Sequence, residues 1–144
     1  MRDGPFRASG AVSLPSDYLR FVELFNEGRY WESHEVLEAP WRTNRSPFYK
    51  GMIIYASAFV HGRRGNPRGV RKQLLKAQNY LAAYVPHYLG LDVEARLRHA
   101  RICLSHVGGS SPPSGEELAY GLPYDRLILR EEWVRGDEPE LFGP

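Results

Sequence analysis

The chain has 144 residues, 42% of them apolar and 25% charged, with a formal net charge of +2. That length suits one domain with a core of its own, and so small a charge gives no ground for a nucleic-acid partner. The single cysteine, Cys103, excludes an intrachain disulfide and suits a reducing, cytoplasmic setting. No apolar run approaches the roughly 20 residues of a membrane span, and the opening residues lack the apolar core of a signal peptide.

Residues 1–15 carry Gly, Pro and Ser without a period and read as an arm. A first helix is predicted from about Ser16, as N-cap, to Glu27, with Tyr18, Phe21, Val22 and Phe25 as its apolar stripe. Gly28 supplies a left-handed stop. A second helix starts near Arg29 and should stop or kink at about Ala39, because Pro40 has no N–H for the carbonyl of Val36. Ser46 followed by Pro47 opens a third helix, running to Arg64. It is apolar over much of its circumference, as a central bundle helix is.

"GNP" at 65–67 combines a stop, a cap and a first-turn proline. Val70, Leu74, Ala77, Leu81 and Tyr84 then mark one face of a fourth helix that ends by Pro86. A fifth runs from Asp92 to about His106, with Val93, Leu97, Ala100 and Leu104 inward. "GGSSPPSG" at 108–115 is a linker. Beyond it Leu118, Tyr120, Leu122 and Tyr124 alternate, which predicts an extended strap. The expected architecture is therefore all-α: about five helices in antiparallel hairpins. The divisions are an arm at 1–15, a helical domain at 16–107, and a linker with C-terminal strap at 108–144.

The stretch "YWESHEVLEAPW", residues 30–41, carries the chemistry. On a helix, Tyr30, His34, Leu37, Glu38 and Trp41 share one side, and His34 and Glu38 are one turn apart. Glu35 lies one position round from His34. A carboxylate turned inward needs a partner, since a buried unpaired charge costs several kcal/mol. An antiparallel third helix would offer Lys50, Ser57 and His61 on one arc. Lys50 and His61 stand about 16 Å apart along it, too far for both to hold one small ion.

Three uses of this cluster follow. His34 and Glu38 can hydrogen-bond each other and fix helix register, as structural networks do. His34, Glu38 and His61 can offer nitrogen and oxygen to a divalent metal ion. His34, Glu35, Glu38 and His61 can also do acid–base catalysis, with Tyr30, Trp41, Lys50 and Ser57 lining a ligand site. The first expectation is a binding or scaffold module with a polar inter-helix pocket, for a protein or small-molecule partner. The alternative is a metal-dependent or acid–base enzyme. A homo-oligomer stays open.

Phe25, Asn26, Gly28, Tyr30, Glu32, His34, Glu35, Leu37, Glu38 and Trp41 form the pattern F-N-x-G-x-Y-x-E-x-H-E-x-L-E-x-x-W. Lys50, Gly51, His61, Gly65 and Asn66 continue it. Over about residues 17–85 the chain resembles domain-of-unknown-function family 309. The resemblance implies a small all-helical protein and brings no assigned reaction. Pro40 departs from the pattern, standing where a helix former is more usual.

Two other groups stand out. "RRGNPRGVRK" at 63–72 gathers five cations beside the start of the fourth helix. His99, Cys103 and His106 form a stripe on the fifth, which reads as a half-buried bundle edge.

Overall fold

The computed structural model describes residues 14–109 and 111–134. The expected arm lies outside the described residues up to position 13, as do Ser110 of the linker and the end of the strap, 135–144. Among the described residues no helix is long and apolar enough to cross a membrane.

Helix α1 spans Ser16–Asn26 and α2 spans Tyr30–Asn44. Pro15, not Ser16, takes the cap position of α1, with extended backbone. Gly28 makes the turn at φ 80°, the left-handed region that glycine enters without steric cost. Pro40 does not end α2, which runs on one more turn to a left-handed Arg45. Beyond the proline, Trp41 packs against the core, with Lys50 Nζ 4.3 Å and Arg45 Cζ 4.5 Å from its ring. We attribute the survival of that last turn to this anchoring, which offsets one lost backbone hydrogen bond.

Helix α3, Pro47–Arg63, is the central element. The Ser46 hydroxyl accepts from the Tyr49 N–H at 3.1 Å, as the Ser-Pro signal requires. Helix α4, Pro67–Leu81, is capped in the same way by Asn66, whose side chain accepts from the Gly69 N–H at 3.1 Å. Tyr30 lies against Phe59 and Trp41 against Lys50, so α2 and α3 run antiparallel as expected. A side chain at Gly51 would stand 2.7 Å from Leu81, so the small residue lets α3 and α4 approach closely.

A short hairpin follows, with β1 at His87–Tyr88 and β2 at Leu91–Asp92. Its turn residues, Leu89 and Gly90, both have positive φ. Helix α5, Val93–Val107, starts where Asp92 accepts from the Ala95 N–H at 2.9 Å. Its buried side carries Val93, Arg96, His99, Ala100, Cys103 and Val107. Leu97 and Leu104 are only partly buried, so the stripe is rotated from the expected one.

The C-terminal segment is not extended throughout. Gly115–Gly121 forms a short helix, α6, begun by a reciprocal capping box between Ser114 and Glu117. Leu118 and Leu122 are buried one turn apart while Tyr120 is 86% exposed, a helical and not an alternating pattern. The strap proper then crosses the bundle. Asn26 on α1 both donates to the Leu127 carbonyl, at 2.8 Å, and accepts from its N–H, at 2.7 Å. Leu129 bridges to Leu91, and Arg130 N–H donates to the Gly90 carbonyl at 2.8 Å. The protein is thus a small all-helical one with a two-strand hairpin.

Candidate functional site

The residues expected to form a site fall into separate places. His34 Nε2 stands 3.8 Å from Glu38 Oε2, one turn along α2, with side chains 18% and 32% exposed. Arg42 Nη2 reaches the other carboxylate oxygen at 3.4 Å. These contacts are longer than good charge-assisted hydrogen bonds, which run to about 2.7–2.9 Å. His34 Nδ1 is buried without a hydrogen-bond partner, which leaves Nε2 as the nitrogen available for polar contact. Trp31, 48% exposed, stacks on the imidazole at 5.4 Å and 18°, and Arg64 lies 5.5 Å from the indole centre. The cluster is thus a half-open seam at the surface. Glu35 is exposed on its flank.

His61 is engaged elsewhere. Its Nδ1 pairs with the Asn66 amide at 3.2 Å, and a side chain at Gly69 would run into its ring. The imidazole therefore faces the start of α4. Burial, then Arg64 and Lys72, lower its pKa from the ordinary value. Among the described residues no group of three or more His, Cys, Asp or Glu side chains is gathered closely enough for a metal ion. His61 is thus not brought together with His34 and Glu38: it pairs with Asn66, the cap residue of α4, at another helix junction.

Tyr30 is also taken up by the interior. It is buried, with Phe25, Phe59 and Tyr124 at 4.9, 5.5 and 5.7 Å. Trp41 and Lys50 meet each other at the far end of α2. Ser57 turns its hydroxyl back to the Ile54 carbonyl at 2.7 Å.

A second polar group lies inside: His99 and Cys103, expected at a half-buried bundle edge, are buried, and Arg96, Tyr55 and Asp125, not singled out in the sequence, join them. Arg96 on α5 is only 7% exposed and donates to the Tyr55 hydroxyl of α3 and to Asp125 of the strap, each at 3.0 Å. Tyr55 pairs with His99 Nδ1 at 2.7 Å, and His99 Nε2 bonds the Pro123 carbonyl. A carbonyl only accepts, so Nε2 carries the proton and Tyr55 donates to Nδ1 in the neutral ring. Burial first, with the Arg96 charge, lowers the His99 pKa, against the Pro123 bond and Asp125. Asp125 is held below its ordinary value: hydrogen bonds from the Arg126 backbone and from Arg96 outweigh its partial burial. Cys103 touches His99 Nε2 at 3.5 Å, and burial pushes its thiol up to about 12. His106, on the same sequence stripe, is exposed and outside this group. The capping box that positions α6 was the one sequence signal for how the strap docks; nothing local pairs Arg96 with Asp125.

Residues 18–73 match the family Domain of unknown function (DUF309). Every residue of the expected signature, Phe25 through Asn66, lies inside that match. The chain is also 32% identical over 85 residues to "Uncharacterized protein YpuF" of Bacillus subtilis (strain 168), across 54% of this chain. The matched stretch spans about half of that relative, 49% of its length. No solved structure matches the chain. The DUF309 match takes in α1–α3 and the first half of α4, hence the surface seam, and leaves out α5 and the strap, hence most of the inner group.

Proposed function

We propose that this chain is a binding module whose recognition face is the α2 seam built by Trp31, His34 and Glu38, with Glu35 on its rim. The observation that carries this reading is Trp31, a large indole left 48% exposed while stacked on a half-buried imidazole. Tryptophan is among the residues that contribute most when a partner covers them. Beside it, Glu38 is held only by contacts of 3.4 and 3.8 Å. A donor group from a ligand or a partner's side chain can displace these at little cost, because part-exposed ion pairs are worth about 1 kcal/mol or less. Trp41 and Lys50 supply an amphipathic end to the same helix face. The single cysteine supports work in the cytoplasm.

The test is a thermal-shift panel of divalent ions, amino acids, nucleotides and polyamines on the wild type, Trp31→Ala and Glu38→Gln. The expected result is a panel member that raises the Tm of the wild type and loses most of that effect in both variants. A panel that shifts nothing, or shifts all three proteins alike, overturns this seam as the recognition face.

A further inference from the structure

On the far side of α3, helix α4 presents a second surface. Its sequence, "PRGVRKQLLKAQNYL", holds four cations and no acid. Val70, Leu74, Ala77 and Leu81 are buried against the core, so the apolar stripe is fully engaged. The opposite crest carries Arg68, Lys72, Leu75 and Asn79, at successive steps of four, three and four, all exposed. Those steps are the spacing at which one helix meets another along a seam. Leu75, 40% exposed, sits between Arg71 and Lys76. Among the described residues none of the four cations forms an ion pair, although five arginines elsewhere in the described chain do.

From this arrangement we infer that the crest of α4 docks an acidic amphipathic helix of a partner protein, its apolar residue on Leu75 and its carboxylates on Arg68, Arg71, Lys72 and Lys76. The crest fits other anionic surfaces less well. A membrane-lying helix needs a broad free apolar face, and that of α4 is buried in the bundle. A nucleic-acid strand has phosphates for the cations but gains little from a central leucine. The helix is 15 residues long, about 22 Å, enough for three turns of a partner along the seam. This surface shares no residue with the α2 seam and is independent of whatever that seam binds.

The experiment titrates the full chain into a labelled peptide of glutamate, alanine and leucine, about 18 residues, long enough to populate a helix alone. Its leucines lie on one face with glutamates at their flanks. The comparison probes are the same composition scrambled, a single-stranded oligonucleotide of equal charge, and phosphatidylserine-rich vesicles. The patterned peptide should bind best, more weakly as salt rises. Arg71→Glu with Lys72→Glu should cost about tenfold or more, since opposed charges across a contact are strongly unfavourable. Leu75→Ala should weaken binding several-fold with the salt slope unchanged. Both proteins should melt with the wild type, because all three residues are exposed. The inference is overturned if the patterned peptide does not bind, or if the scrambled peptide, the oligonucleotide or the vesicles bind as tightly. A wild-type dimer that the same substitutions dissociate would overturn it in favour of a second copy of this chain.

Discussion

Two polar clusters in this molecule use the same kinds of side chain and behave oppositely. At the α2 seam, His34 and Glu38 touch at 3.8 Å, half open to water. Inside, Arg96, Tyr55, His99 and Asp125 are joined by bonds of 2.7–3.0 Å that tie α3, α5 and the strap together. The inner group has its directions fixed by a carbonyl that can only accept. The outer one has unfilled capacity and an exposed indole beside it. The difference teaches that a histidine–carboxylate spacing does not distinguish a structural joint from an adaptable surface; burial and bond length do.

The largest effect should come from breaking the inner joint. Arg96→Ala removes bonds to Tyr55 and Asp125 and should cost about 2–3 kcal/mol in urea denaturation. Asp125, itself nearly half exposed, can turn to water, which keeps the loss from being larger. Asn26→Ala tests the strap from its other side. It removes both hydrogen bonds to Leu127 and should cost about 1–2 kcal/mol by the same measurement.

Acid should loosen the inner joint. Folded His99 holds a proton less tightly than an ordinary imidazole of pKa 6.5. Below that pH the unfolded chain takes up a proton that the folded chain resists. The stability is therefore complete above about pH 6.5 and declines as pH falls through it, at most by about 1.4 kcal/mol per unit. His61 acts with the same sign. The groups facing His99 are Tyr55 from α3, Arg96 and Cys103 from α5, and Asp125 and the Pro123 carbonyl from the strap. Denaturation curves at pH 7.5 and 5.5 should show the decline, and His99→Gln should flatten it. An unchanged slope would assign the effect to His61. Asp125 adds a further loss only as pH falls below its ordinary 3.8.

The smallest change is expected at the surface. Glu38→Gln should move stability by no more than about 0.5 kcal/mol, as exposed ion-pair losses do. A larger loss would mean that this pair, too, is a structural joint, and the contrast between the clusters would collapse.

Much of the fold was legible because its signals are local. Ser46–Pro47 and Asn66–Pro67 state where α3 and α4 begin, and Gly28 and Gly65 mark the turns before α2 and α4, with φ of 80° and 69°. Two boundaries were misread, the stop at Pro40 for want of tertiary information and the start of α6 by passing over a local cap. Pro40 ends an isolated helix, but the ring of Trp41 is anchored by groups on α3 and at the helix end. The alternation Leu118 to Tyr124 looked extended, although Ser114 and Glu117 already spelled a helix start. For the site, the His34–Glu38 contact follows from spacing alone. The pairing of His61 with Asn66 at the start of α4 does not, because tertiary packing decides which flank of α3 meets α4 and which meets α2. Arg96 was invisible for a simpler reason: its partners lie 41 residues before it and 29 after.

That separation also bears on how the molecule assembles. Asn26 grips Leu127 across 101 residues of chain, whereas the α1–α2 and α3–α4 hairpins close through near neighbours in sequence. Contacts between distant residues form slowly, because the intervening loop must first be brought together. We therefore expect the tail to dock after the hairpins, which pulsed hydrogen exchange would show as late protection of the Leu127 N–H. Until it does, the guanidinium of Arg96 lacks its Asp125 carboxylate and the imidazole of His99 lacks its Pro123 carbonyl. On that order the tail is a latch, whose Asp125 carboxylate and Pro123 carbonyl close on donors already held by the helices.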